Sequence, residues 1–243
     1  MTSGFGRIGL IVPCDLTLDA EYPRYLPVEA TVHLTRTGFH PGDLDLDFIL
    51  GVSSPSEIAY ATRSLTKIAP GVISFACTSG SFVLGLEGEM RIRRLMEDAG
   101  AELAQTTSGA LLDALAVLGV ERIGLGTPYT EPVGARLGSF LTEAGYHVTG
   151  VVNMELHDVI GPVADDAVID LARRAAGGRP DAVFLACTGV PTLDLITPLE
   201  ADLEMPVLTA NQVTMWAALG SIGMRSPLVS QRLLRAGWRS HRG

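Results

Sequence analysis

The sequence has few cysteines and no long apolar run. Three cysteines among 243 residues are too few for a disulfide framework, and odd in number, so we expect free thiols in a reducing cytoplasm. The longest apolar runs, such as residues 8–12 and 182–186, have the length of strands and fall short of the roughly 20 residues that a membrane span needs. Residues 1–7 also lack the charged and apolar regions of a signal peptide. We therefore expect a cytoplasmic protein without a membrane partner.

Concentrated positive charge is also missing over most of the chain. The formal net charge is −9, and arginines cluster only near the end, where Arg232, Arg235, Arg239 and Arg242 suit a solvated helix end or tail. This distribution excludes a nucleic-acid surface. Metal-ligand spacing is absent as well. Asp43, Asp45 and Asp47 alternate as in a calcium loop, but the glycine at the sixth position and the closing glutamate are missing. We expect neither a metal nor a cofactor.

What the chain does have is an alternation of short β-branched runs with longer helical patterns. Hydrophobic residues make up 47 % and charged residues 19 % of the chain, as in a globular protein. Strands are predicted at residues 7–12, 30–35, 72–76, 122–126, 146–151, 182–186 and 206–209, with a weaker one near 101–104. Helices are predicted at 55–68, 87–99, 108–118, 131–144, 165–175, 193–203 and 212–219. Continuous apolar strands between helices predict an α/β fold with parallel sheets.

An internal repeat divides this pattern into two units. Residues 7–13 (RIGLIVP) match 122–128 (RIGLGTP), and the Ala-Cys-Thr at 76–78 recurs at 186–188. Helical segments follow both units in the same order. We therefore predict two pseudo-symmetric parallel-sheet halves, 1–105 and 106–210, with the active site between them. The C-terminal segment 211–243 is predicted to pack on the first half.

Cys77 and Cys187 each follow a predicted buried strand of this repeat. Ligands of parallel α/β sheets bind beyond the carboxyl ends of the strands, so we expect the two thiols to face each other across a cleft. The residues after each cysteine are predicted to offer backbone N–H groups that hold a carboxylate and lower the thiol pKa. These residues are Thr78, Ser79 and Gly80 in the first copy, and Thr188 and Gly189 in the second. Two opposed thiols suit a reaction in which one takes a proton from carbon, or adds to it, while the other delivers a proton.

Further residues near these strand ends are weaker candidates. Asp15 follows the first strand and is predicted to bind substrate, and Tyr129 occupies the equivalent place in the second copy, where it is predicted to bind a carboxylate. Cys14 is either a packed thiol or a cleft residue. Asn211 begins the last predicted helix, so we expect it to be an N-cap. The polar insertion at 38–54 is predicted to act as a lid.

Several of these short motifs together resemble the maleate isomerase and arylmalonate decarboxylase family, within the aspartate/glutamate racemase superfamily. The resemblance covers nearly the whole chain. Its carriers are 8–13 with Asp15-Leu16-Thr17 and Glu21, Ala-Cys-Thr-Ser-Gly at 76–80, Thr-Pro-Tyr at 127–129, Ala-Cys-Thr at 186–188 and Pro-Val-Leu-Thr-Ala-Asn-Gln at 206–212. It implies two flavodoxin-like halves and a reaction without a cofactor. It also implies that Cys77 is the nucleophile that adds to a double bond, that Cys187 is the acid and base, and that Tyr129 helps to hold the substrate carboxylate.

The leading hypothesis from the sequence is a cysteine-pair isomerase of a small carboxylic acid, similar to maleate cis-trans isomerase. We expect a homo-oligomer, because small assemblies of such folds are common. Asp15 stands where maleate isomerases usually have asparagine, and a carboxylate beside a dicarboxylate is repelled or must be protonated. A second hypothesis is therefore a racemase-like enzyme of ectoine degradation, whose amino-acid derivative carries a positive group. A third is an arylmalonate-type decarboxylase, which keeps only the second cysteine, and a fourth is a non-catalytic bilobal ligand-binding protein.

Overall fold

A computed structural model describes residues 6–42, 44–157 and 163–238. Asp43, Arg239 and Arg242, discussed above, lie outside these ranges. The strands are β1 Gly6–Val12, β2 Ala30–Arg36, β3 Val72–Phe75, β4 Ala104–Thr106, β5 Arg122–Thr127, β6 His147–Asn153, β7 Ala182–Leu185 and β8 Val207–Thr209. The α-helices are α1 Leu46–Val52, α2 Pro55–Thr66, α3 Thr78–Phe82, α4 Gly85–Asp98, α5 Thr107–Leu118, α6 Glu131–Glu143, α7 Asp165–Ala175, α8 Ile196–Asp202, α9 Ala210–Ser221 and α10 Arg232–Arg235. Short 3-10 helices lie at Tyr22–Tyr25 and Ala176–Gly178.

The strands form two parallel sheets of four, with the orders β2-β1-β3-β4 and β6-β5-β7-β8. The two orders are the same once the second copy is renumbered, which confirms the repeat and the predicted α/β fold. β3 and β7 are buried along their whole length, because both faces of a parallel sheet are covered by helices. One ladder bond recurs in both halves: the Ala76 N–H donates to the Ile11 carbonyl and the Ala186 N–H to the Gly126 carbonyl, each at 2.8 Å. The residue after each of these alanines is a cysteine.

Helices α5 and α9 follow the last strands of the two sheets and pack against each other. The Thr107 and Thr214 hydroxyls are hydrogen-bonded at 2.8 Å, and α9 also contacts β3 and β4 of the first sheet. The Gln105 amide donates to the Ala217 carbonyl at 3.2 Å. The division of the chain at residues 105 and 210 stays a prediction. None of the helices in the described ranges combines the length and the apolar character needed to cross a bilayer.

One predicted strand differs from the structure, and several helices were not predicted. The weak strand predicted at 101–104 begins only at Ala104, because Gly100 adopts φ +106° and the Ala101 N–H still closes the end of α4 on the Met96 carbonyl. The insertion at 38–54, predicted as a loop, contains α1, which the Asp45 carboxylate caps by accepting the Phe48 N–H at 2.9 Å. The sequence interpretation also missed α3, which begins directly after Cys77.

Candidate active site

A narrow cavity, whose empty volume of about 430 Å³ includes open solvent at its mouth, lies between the carboxyl ends of β3 and β7. Eight of the nine predicted site residues line it: Asp15, Cys77, Thr78 and Ser79 from the first half, and Tyr129, Cys187, Thr188 and Gly189 from the second. The structure therefore brings both thiols to one cavity. Gly80, the ninth, is buried but does not line the cavity.

Cys77 occupies a regular strand-to-helix junction. Its backbone is extended, with φ −140° and ψ 112°, and it is the N-cap of α3. Its Sγ accepts the Gly80 N–H at 3.4 Å. The buried Ser81 hydroxyl lies 2.8 Å from the Cys77 carbonyl and 2.7 Å from the Ser108 hydroxyl. These local bonds fix the first thiol within its own half of the molecule.

Cys187 has a different backbone. Its φ is +82°, in the left-handed region that non-glycine residues seldom occupy. Its Sγ accepts the Gly189 N–H at 3.3 Å, and the nearby Tyr129 hydroxyl lowers its pKa. The chain then continues through turns until α8 begins at Ile196. The second thiol is thus held by a strained turn and by a side chain from the loop after β5.

Burial dominates the protonation of both thiols. It raises the pKa of Cys77 and of Cys187 to about 12, and the negative charge of Asp15 adds to this effect. Hydrogen bonds from the Gly80 and Gly189 N–H groups lower both pKa values, but by less than burial raises them. The prediction that these donors would favour the thiolate was therefore wrong in its net direction. Both cysteines are neutral thiols in the free cavity at neutral pH.

Hydrogen-bond donors gather near the thiols. The buried Tyr129 ring packs edge-on against Phe82, with centroids 6.1 Å apart, and its hydroxyl interacts with the side chains of Cys187 and Ser79. The Thr78 hydroxyl is buried and, within the described ranges, has no hydrogen-bond partner. Because a buried polar atom without a partner is costly, this hydroxyl is a group that a bound ligand would satisfy. These donors suit a carboxylate.

Asp15 adds a carboxyl group to the lining of the cavity. Arg36 holds its loop, since the guanidinium donates to the Leu16 carbonyl at 2.9 Å and pairs with Asp19 at 2.7 Å. Burial raises the pKa of Asp15, and the charge of Arg36 opposes that shift. Among the described residues that line the cavity, none is lysine, arginine or histidine. The lining therefore offers no cationic side chain to a second carboxylate.

An apolar wall completes the cavity. Leu16 and Pro13 contribute to it, together with Leu44, which precedes the N-cap of α1, and with Phe48 and Val52 of that helix, which the sequence interpretation missed. Residues 44, 48 and 52 recur at intervals of four, the spacing of one helix face, and Asp45 is a good N-cap. That pattern could have predicted both the helix and the wall. The Leu44 N–H donates to the His157 carbonyl at 2.8 Å, so the insertion is tied to the second half.

Cys14 and Asn211, which the sequence placed near the strand ends, do not line the cavity. Cys14 is half-buried against the core. The N-cap of α9 is Thr209, so the N-cap prediction for Asn211 was wrong. The Asn211 amide instead donates to the Glu21 carboxylate at 3.1 Å and to the Thr188 carbonyl at 3.2 Å. No group of three potential metal-ligating side chains comes together within the described ranges.

Two residues near the site were given no role from the sequence. Glu21 is buried and reaches the turn after Cys187 through its hydrogen bonds. Tyr22 is fully buried, and its hydroxyl has no hydrogen-bond partner in the part of the chain that the structure describes. Burial, followed by the charges of Glu21 and of the two thiols, raises the pKa of Tyr22 well above its ordinary value. Polar residues between two predicted elements, as here, carry no periodicity that would have marked them as buried.

Comparison with known proteins identifies the family. The model of the arylmalonate decarboxylase family matches residues 25–233. The arylmalonate decarboxylase of Bordetella bronchiseptica is 33 % identical over 195 residues, which cover 74 % of this chain and 81 % of that protein. The maleate isomerase of Nocardia farcinica is 26 % identical over 234 residues, covering 91 % and 92 %. A liganded double mutant of arylmalonate decarboxylase superposes with a TM-score of 0.86 at 28 % identity, covering 94 % and 98 %.

These matches confirm the resemblance inferred from the motifs and the two-sheet architecture. The relatives are enzymes, and they include both a decarboxylase and an isomerase. The family match spans most of the residues that line the cavity, from Leu44 to Gly189. The chain belongs to the arylmalonate decarboxylase family.

Proposed function

We propose that this protein is an isomerase or racemase of a small carboxylic acid, with Cys77 and Cys187 acting on opposite faces of the substrate. The observation that carries the proposal is that both thiols, one from each half, line a single cavity. Tyr129 and Thr78 provide donors beside them. An enzyme that used one cysteine alone would gain nothing from a second buried thiol at the repeat-equivalent position.

The two thiols can carry out either reaction with a balanced exchange of protons. In racemisation, one thiolate removes the α-proton, the C–H electron pair moves into the carboxylate to form an enediolate, and the other thiol protonates the opposite face. The charge ends on the second sulfur. In cis–trans isomerisation, the Cys77 thiolate adds to one carbon of the double bond while the Cys187 thiol protonates the other. After rotation about the new single bond, the Cys187 thiolate removes that proton and the C–S bond breaks, which restores the double bond and the Cys77 thiolate. Donors such as Tyr129 and Thr78 stabilise the developing oxyanion.

Either reaction needs one thiolate, which the free cavity disfavours because both pKa values are about 12. A positive group on the substrate, placed beside Asp15, would lower the free energy of the thiolate. The cavity lining contains Asp15 and apolar side chains but no cationic residue within the described ranges. We therefore propose a substrate with one carboxylate and an apolar or cationic remainder, as in the amino-acid derivatives of ectoine degradation. Maleate would require Asp15 to be protonated.

Decarboxylation of an arylmalonate-type acid is the second candidate. The 33 % identity with the decarboxylase of Bordetella bronchiseptica and the apolar wall of Leu44, Phe48 and Val52 favour it, since such a wall suits an aromatic ring. This reaction needs only one proton donor, which would be Cys187. It therefore predicts that loss of the Cys77 thiol is tolerated.

Proton NMR in deuterated buffer separates these reactions. The protein is incubated in turn with maleate, phenylmalonate and an ectoine-derived amino acid. Conversion of the vinyl signals, formation of a decarboxylated acid, or exchange of the α-proton identifies cis–trans isomerisation, decarboxylation or racemisation. The proposal predicts α-proton exchange in the amino acid, and loss of that exchange in Cys77→Ser and in Cys187→Ser.

Asp15→Asn serves as the matched variant, because it removes the charge and keeps the shape. It should lose activity on the cationic substrate and gain activity on maleate. Decarboxylation of phenylmalonate at an equal rate by the wild type and by Cys77→Ser would overturn the two-thiol proposal. Binding of all three compounds with complete recovery of each would instead identify a ligand-binding protein.

A further inference from the structure

The turn that carries Cys187 needs support from outside its own sequence. The backbone of Cys187 is strained, with φ +82°. Such residues persist only where the surrounding structure fixes them. Cys77 needs no such support, since its backbone is ordinary and the helix α3 follows it at once.

That support comes from four buried residues, which we call the Glu21 clamp: Glu21, Thr188, Thr192 and Asn211. One Glu21 oxygen accepts the Thr192 N–H at 3.4 Å, and the other accepts the Asn211 amide at 3.1 Å. The same amide group donates to the Thr188 carbonyl at 3.2 Å. The clamp thus joins the turn directly after Cys187 to the start of α9 and to the segment between β1 and β2.

The clamp contains a carboxylate that is expensive to bury. Glu21 is only 7 % exposed. Burial raises its pKa, and the bonds from Asn211 and from the Thr192 and Leu193 N–H groups oppose that shift. A buried carboxylate is a poor source of stability compared with apolar packing. Its two oxygens accept hydrogen bonds from donors on two different segments, and they therefore fix how those segments are oriented to each other.

We propose that Glu21 is a positioning residue, which acts through Asn211 on the Thr188 carbonyl. The clamp holds the Cys187 turn in its strained form, so that the thiol and the Gly189 N–H keep their places opposite Cys77. This inference rests on the proposed function, in which both thiols react. The Cys187 thiol of the second half then depends on a side chain of the first half, that of Glu21.

Three variants separate positioning from stability. Glu21→Gln offers one acceptor to two donors. Asn211→Asp sets two carboxylates against each other. In the double variant Glu21→Gln/Asn211→Asp, the new glutamine amide donates to the new aspartate, and its oxygen still accepts the Thr192 N–H. The double variant therefore rebuilds the contact between the two side chains, but it cannot donate to the Thr188 carbonyl.

The matched control is Glu200→Gln. Glu200 is 4 % exposed and also accepts two backbone N–H groups, from Val207 at 3.3 Å and Arg232 at 2.9 Å. It does not line the cavity. The chemical change is the same and the burial is similar, so this variant reports the cost of losing a buried carboxylate away from the site.

We expect kcat of Glu21→Gln and of the double variant to fall by about 10- to 100-fold, the effect of a slightly misplaced reacting group, with little change in KM. The melting temperature of the double variant should recover relative to Asn211→Asp, while kcat should not. Full recovery of kcat in the double variant would overturn the proposal. So would a kcat of Glu21→Gln equal to that of Glu200→Gln.

Thiol alkylation gives a second measurement that needs no substrate. Iodoacetamide labelling, followed by peptide mass spectrometry, should show Cys187 reacting several-fold faster in Glu21→Gln, because the relaxed turn exposes the thiol, while Cys77 is unchanged. Equal acceleration of both cysteines, or of neither, contradicts the clamp even if the proposed reaction is right. If Glu21→Gln does not fold, Glu21→Asp, which is one methylene shorter and keeps the charge, takes its place with the same expected pattern.

Discussion

The two cysteine turns begin with the same three residues and end in different structures. Ala-Cys-Thr leads into a helix after Cys77, whereas after Cys187 it leads into a strained turn and an irregular stretch. The residues that follow explain the difference. Thr-Ser-Gly-Ser continues as helix in the first copy. In the second, Val190 precedes Pro191, and a residue before proline disfavours the helical conformation.

This difference makes the two thiols depend on different parts of the molecule. Each Sγ accepts a local N–H, from Gly80 or from Gly189. Beyond that bond, Ser81 of the same turn holds Cys77, whereas Cys187 depends on Tyr129 and, through Thr188, on the Glu21 clamp. A repeated sequence thus provides two chemically similar groups in unequal surroundings. Burial nevertheless raises both pKa values to about 12.

The largest effect is expected from replacing either thiol. Cys77→Ser and Cys187→Ser should each lower kcat by about 10²- to 10⁴-fold, because each removes one proton-transfer group. The double variant should lose little more, since the two groups act as a unit. Initial rates and circular dichroism check activity and folding. Cys14→Ser, outside the cavity, is the control and should keep full activity. A near-normal rate in Cys77→Ser would mean that the reaction needs only the Cys187 thiol.

Tyr129→Phe tests the support that only the second thiol receives. The lost hydroxyl lowers the pKa of Cys187, and a hydrogen bond to a charged group contributes about 1.5–3 kcal/mol. We expect kcat to fall by about 10- to 100-fold. The rate–pH profile should move to higher pH, because the thiolate loses a donor. Tyr60→Phe, on the exposed α2 surface, should change neither. An unshifted rate–pH profile would show that Tyr129 does not stabilise the Cys187 thiolate.

Gly80→Ala tests the first turn alone. A Cβ at this position would lie 3.1 Å from the Cys77 Sγ and 3.0 Å from the Phe75 ring, so the thiol or the ring must shift. We expect a loss of about 1–3 kcal/mol in unfolding free energy and a changed alkylation rate at Cys77 but not at Cys187. Gly138→Ala in α6 meets its nearest atom at 3.4 Å and should be neutral or slightly stabilising. Equal changes at both thiols would show that the two turns are coupled.

The smallest effect is the pH dependence of stability. In the folded protein both thiols have a pKa of about 12, against an ordinary value of 9.0. Between these values the unfolded chain loses thiol protons that the folded chain keeps, so stability falls as pH rises. Each thiol contributes at most about 1.4 kcal/mol per pH unit. Urea denaturation from about pH 8 to about pH 10.5, a window that spans the unfolded thiol pKa, should give a shallower decline for Cys77→Ser and for Cys187→Ser than for the wild type. Three identical slopes would contradict the raised pKa values.

Much of the fold could be predicted from the sequence. β3 and β7 are uninterrupted apolar runs, and such runs have few alternatives to a buried parallel strand. The matching 7–13 and 122–128 segments predicted a repeated unit, and the two sheets have the same strand order. The helix α1 was missed because its polar surroundings at 38–54 obscured the spacing of Leu44, Phe48 and Val52. Those residues line the cavity, so the missed helix was also a missed part of the site.

The cavity residues that the sequence predicted all follow strands, and the residues that it missed or misassigned lie elsewhere. Cys77, Cys187, Asp15 and Tyr129 all follow strands of the repeat, and the sheet edge brings them to one cavity. Asn211 was misassigned because its place at a helix start favours capping, whereas its partners are distant in sequence. Glu21 lies 190 positions from Asn211, and no spacing rule connects such residues.

The sequence by itself determined the two parallel sheets, the repeat, and a cysteine at the end of one central strand in each half. Hydrophobic periodicity decides which segments are strands, and strand order places their ends at one edge. Tertiary structure alone decided the strained backbone of Cys187, the net rise in both thiol pKa values, and the Glu21 clamp. These properties depend on how deeply a group is buried and on which distant groups hydrogen-bond to it, and both are set only when the two halves pack together.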